Sequence, residues 1–131
     1  MTLSEEPVVV LVVEDVEETR RAMQQLLIVC GYQVSTAEDE EGAVFTATHR
    51  RPDLILISPG LNPARVAASA RRIRERSKLG EEVPIVIFCV ASLDQGAEVS
   101  VGHNIHMTRP DDFDQLRALL SRLLSRPSRA W

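Results

Sequence analysis

The chain has 131 residues, 44% hydrophobic and 26% charged, with few aromatics and a net charge of -4. That length suits one domain rather than two, and the composition excludes collagen-like, disordered and disulfide-scaffold proteins. The acidic balance argues against nucleic acid, which needs a clustered basic face. An acidic start and an apolar run of only Val8 to Val13 argue against export and membrane insertion. The two cysteines, Cys30 and Cys89, lie on segments that read as a helix end and a buried strand, which fits core thiols in a reducing cytoplasm.

Val8 to Val13 is mostly β-branched and does not alternate, the pattern of a strand buried on both faces of a parallel sheet. Val16, Ala22, Met23, Leu26 and Leu27 then recur at helical spacing, and Gly31 supplies a left-handed stop. Tyr32 to Ala37 reads as a second strand and Glu40 to Arg50 as a second helix, with Pro52 blocking continuation. Leu54 to Ile57 repeats the buried-strand pattern, Ser58-Pro59-Gly60 signals a turn, and Ala64 to Ser77 turns Val66, Ala70 and Ile73 inward. Pro84 to Val90 gives a fourth strand, Ser92 to Val101 a short polar helix, Asn104 to Met107 a fifth strand, and Asp112 opens a last helix.

Such alternation predicts an α/β fold: a doubly wound three-layer sandwich on a five-stranded parallel sheet, with helices on both faces. One domain is expected over 1–131, its core about 8–124, with tails 1–7 and 125–131. Functional residues of open parallel sheets gather at the carboxyl ends of the strands. Here those ends carry Glu14 and Asp15, Ser58, Cys89, and Thr108-Arg109-Pro110.

Through Val12-Val13-Glu14-Asp15, Arg51-Pro52-Asp53-Leu54-Ile55-Leu56-Ile57 and Thr108-Arg109-Pro110, in order and at matching intervals, the chain resembles the receiver domain of two-component response regulators. In that family two acids bind magnesium, an aspartate after strand three accepts phosphate, a threonine or serine ends strand four, and a lysine precedes a proline. The resemblance carries these roles onto Glu14 and Asp15, then Ser58, Cys89 and Arg109, with His106 at the aromatic switch position.

Only the acid pair is intact. A serine hydroxyl is protonated at neutral pH and needs a neighbouring base to act as a nucleophile; His103 and His106 are the histidine candidates. Without a carboxylate at position 58, and with a backbone carbonyl expected from Gly60, the magnesium site should be weak or lost. A planar guanidinium at Arg109 should pair in a fork with Glu14 or Asp15 in the metal's place. No cofactor is expected.

Several residues admit plainer readings. Asp15 can cap the first helix, with Glu18 completing a capping box, and Ser58 can be a turn residue before Pro59. Arg71 to Lys78 can grip an acidic partner or be a solvated face. Phe113, Leu116, Leu119, Leu120, Leu123 and Leu124 form a stripe wide enough that part of it, with Phe113, Leu116, Leu120 and Leu123 as candidates, can serve as a dimer or partner face.

The sequence therefore points to a non-enzymatic, cytoplasmic, receiver-like signalling module. It would lack the phosphoacceptor aspartate and act through protein partners or as a homodimer. Two alternatives stand beside it: a regulator switched by modification of a residue such as Ser58, and a flavodoxin-like redox protein. The acidic segment Glu14 to Glu18 counts against the second, because it lacks the Gly, Ser and Thr donors of a flavin phosphate site.

Overall fold

The computed structural model describes residues 7–58, 63–88 and 90–124. In chain order the elements are β1 (Val9–Val13), α1 (Glu17–Val29), β2 (Gln33–Ala37), α2 (Glu40–His49), β3 (Leu54–Ile57), α3 (Pro63–Arg76), β4 (Ile85–Ile87), β5 (Glu98–Ser100), β6 (Ile105–Thr108) and α4 (Phe113–Leu124). The sheet runs β2-β1-β3-β4-β6-β5. Every neighbouring pair is parallel except β5 with β6, which is antiparallel.

The α/β sandwich with a mostly parallel sheet is as expected, but among the described residues it has six strands and four helices rather than five of each. The segment read as a polar helix is instead a run of turns followed by β5. Its apolar residues explain this: Ala97, Val99 and Val101 alternate with Glu98 and Ser100, which is strand period. Gly102, His103 and Asn104 then adopt φ of 93°, 55° and 60° and turn the chain into β6.

All residues of β1, β3 and β4 are buried, as strands covered on both faces must be. Their alternate side chains feed two cores. One, holding Leu11, Ile55 and Ile85, lies under α2 and α3; the other, holding Val10, Leu56 and Val86, lies under α1 and α4. Helix α1 ends as anticipated at Gly31, φ 100°. Gly31 N–H donates to Ile28 O at 2.9 Å and Tyr32 N–H to Leu27 O at 3.1 Å, the paired bonds of a Schellman stop.

Leu116, Leu119 and Leu120 are buried in the second core, and Phe113, Leu123 and Leu124 pack partly buried against it. The stripe on α4 is thus an inward face. Leu116 and Leu120 are not available to a partner, and Phe113 and Leu123 are largely committed to the fold.

Candidate functional site

A pocket of about 770 Å³ opens where β1 and β3 end, lined by Glu14, Asp15, Glu38, Asp39, Glu40, Ser58, Arg65, Ser69 and Arg72 among others. Glu14, Asp15 and Ser58 meet there as expected. Parallel pairing of β1 with β3 sets Val13 beside Ile57, so the residues that follow both strands emerge together. Ser58 N–H donates to Val13 O at 3.0 Å.

Glu14 is only 5% exposed. Its carboxylate accepts from Val16 N–H at 3.0 Å, and Arg20 Nη1 donates to its backbone carbonyl at 2.8 Å. This overturns the capping role for Asp15: Val16 occupies the N-cap of α1 and makes no side-chain cap bond, while Asp15 is exposed.

Arg109 is a second correction. Its guanidinium donates to Ala91 O at 3.3 Å and Leu93 O at 3.0 Å, and it does not line the pocket. The fork with Glu14 or Asp15 does not form, because the carbonyls of the 91–97 turns lie nearer to that side chain. His103 bonds Glu81 Oε2 at 2.8 Å and His106 bonds Asn104 Oδ1 at 2.8 Å, so neither serves Ser58 as a base. His106 is half-buried, and burial pushes its imidazole below its ordinary pKa. Cys89 and Gly60 lie outside the described residues.

The α2–α3 wall of the pocket was not foreseen. Arg72 grips Glu40 in a fork at 2.9 and 2.8 Å, and Ser69 Oγ adds a third bond at 2.9 Å. The Arg72 hydrogen bonds are the main reason the Glu40 carboxyl is lowered to about 2. Arg76 forks onto Glu41 at 2.7 and 3.0 Å. Arg74 is buried and donates to Gly80 O, Val83 O and His103 O. The run is thus an exposed face, as one of its two readings had it, but Arg72 and Arg76 on it already hold acids of α2 and Arg74 is buried beneath it, so these three are not free to grip an acidic partner. The signal in sequence was the Glu40-Glu41 pair facing arginines four residues apart, but only the fold sets α2 beside α3.

Magnesium, which the resemblance leads one to expect, needs a near-octahedral set of oxygens. Here the Glu14 carboxylate is turned back onto Val16 N–H, and Ser58 brings a neutral hydroxyl. Among the described residues no group of three or more His, Cys, Asp or Glu side chains is placed to hold a metal ion.

The parallel sheet, its two helix layers and a carboxylate pocket at the strand ends define a CheY-like receiver fold. The chain belongs to the response regulator receiver domain family, whose profile matches residues 10–124. Among its relatives, the KDP operon transcriptional regulatory protein KdpE of Escherichia coli K12 is 30% identical over 121 residues, 91% of this chain and 52% of that protein. The phosphate regulon transcriptional regulatory protein PhoB of Pseudomonas aeruginosa is 30% identical over 121 residues, 89% of this chain and 52% of that protein. The chain thus spans about half the length of these relatives. The crystallised receiver domain of a sensor histidine kinase from Pseudomonas aeruginosa PAO1, with magnesium in its active-site cleft, superposes with a TM-score of 0.67. It is 25% identical, with 92% of this chain and all of that one covered. Receiver domains are signalling modules rather than enzymes as a class, and among the described residues no helix is long and apolar enough to cross a membrane.

Proposed function

We propose that this receiver domain is a cytoplasmic two-component signalling module that does not use acyl-phosphate chemistry and works through phosphorylation-independent contacts with a protein partner. The observation that carries this reading is Ser58: it follows β3 beside Glu14 and Asp15, where the family keeps a carboxylate. Acyl-phosphate formation begins with an anionic carboxylate oxygen attacking phosphorus, and a protonated hydroxyl, which could at most form a phosphate ester, is a poor substitute. A weak or lost magnesium site follows from the same donors. The retained fold, its core and the ion pairs that tie α2 to α3 favour a surface held in one state.

Addition of acetyl phosphate, or of beryllofluoride with millimolar magnesium, should leave the amide spectrum of the domain unchanged. Shifts clustered around Ser58, Asp15 and Arg109 on adding either reagent would overturn the reading.

A further inference from the structure

We propose that β5 is a self-pairing edge, through which two copies of this chain join antiparallel about a two-fold axis at Val99 and continue their sheets into one another. Strand β5 ends the sheet, bonded to β6 on one side only. In an antiparallel pair, alternate residues turn their N–H and C=O groups towards the neighbour and the others turn theirs away. The bonds Arg109 N–H to Ala97 O at 3.1 Å and Val101 N–H to Ile105 O at 2.9 Å fix the phase. Residues 97, 99 and 101 face β6, so the backbone donors and acceptors of Glu98 and Ser100 point outward.

A second copy answers that pattern. With Val99 on the axis, Glu98 of one chain lies opposite Ser100 of the other, and each pair exchanges both backbone bonds. Val99 meets Val99, and Ala97 meets Val101. No like charges oppose each other, and Glu98 is already neutralised by Arg122 at 2.8 Å. The apolar side adds to the match. Val99 shares a sheet face with Met107, and Met107 packs against the core under α2 and α3. Where the 91–97 segment forms turns, no helix among the described residues covers this end of that face, and Val99 and Val101 stay 41% and 40% exposed. Pairing would bury both against their own symmetry mates. A three-residue strand makes a small interface, so the dimer belongs to the weak, transient class.

This pairing uses backbone and β5 side chains, not the pocket. It is measured without phosphoryl donor, so its failure leaves the reading of Ser58 standing, and the reverse. Sedimentation velocity on the 131-residue chain should show a concentration-dependent monomer–dimer equilibrium, with exchange of the Glu98 and Ser100 amides slowing as dimer forms. Ser100→Pro removes an outward donor and leaves the inward ladder intact; it should weaken association at least about tenfold, whereas Ser100→Ala should not. Val99→Lys sets two cations together on the axis and should abolish the homodimer, while mixing it with Val99→Glu should restore association as a heterodimer. A protein that stays monomeric to ~1 mM, a dimer indifferent to Ser100→Pro and Val99→Lys, or unprotected Glu98 and Ser100 amides in the dimer would each overturn the proposal.

Discussion

Glu14 is the one buried carboxylate among the described residues, and its charge is answered locally by Val16 N–H rather than by a cation across the pocket. Arg109 works elsewhere, holding the carbonyls of Ala91 and Leu93. A guanidinium that bonds backbone carbonyls of an exposed turn restrains that turn more than it stabilises the fold. Arg109→Ala should therefore shift the melting point little, with or without magnesium, while amide exchange in residues 91–97 quickens. A large stability loss recovered by millimolar magnesium would instead return Arg109 to the acid pair. Sequence could name the residues at the strand ends but not the direction of a long flexible side chain. Which acceptor Arg109 reaches depends on turns whose path no motif encodes.

At the scale of elements, α2 and α3 are joined by charge as well as by packing. The Glu40 carboxyl, lowered to about 2 chiefly by the Arg72 hydrogen bonds, favours the folded state wherever it is ionised there but would be partly protonated in the unfolded chain. Its contribution is complete above its ordinary pKa of 4.5 and is lost as pH falls from there towards 2. With its side chain 23% exposed, solvent screening holds the effect to on the order of 1 kcal/mol. Glu40→Gln should lower unfolding free energy by about that much at pH 7, with the gap to wild type closing near pH 2 in urea titrations. A gap that persists unchanged at low pH would mean the lost interaction is not the charge. Helix α4 makes the opposite case, because its wide leucine stripe invites reading as a partner surface and yet closes the second core. Leu120→Ala, at a site with no exposure, should cost about 2–5 kcal/mol, whereas Val29→Ala, 85% exposed on α1, should stay within about 0.5 kcal/mol. Urea melts of the two variants would separate them; a mild Leu120→Ala would reopen the stripe as an interface.

Across the whole molecule, the parts legible in sequence are those where burial dictates composition. β1, β3 and β4 are unbroken apolar runs because they are enclosed on both faces, and Gly31 announces the end of α1 because a left-handed residue is needed there. Ser92 to Val101 reads as a helix in sequence because its polar turns resemble a solvated one; the alternation at Ala97, Val99 and Val101 is the better signal. The same contrast predicts a gradient of local stability across the sheet. β1 lies between two strands and under helices on both faces, with every residue buried, so its amides exchange only when the whole domain opens. β5 has one neighbour and is exposed along its length, so the β5–β6 hairpin can open while the rest stays folded. In native-state exchange on dilute protein, Leu11 and Leu56 should report the global unfolding free energy, and Val99 and Val101 an opening of roughly 0–2 kcal/mol. Raising the protein concentration should slow the Glu98 and Ser100 amides and leave Leu11 unchanged, since pairing closes the edge without adding to the enclosed strands. If Val99 exchanges as slowly as Leu11 in dilute solution, the hairpin belongs to the cooperative core and this gradient is wrong.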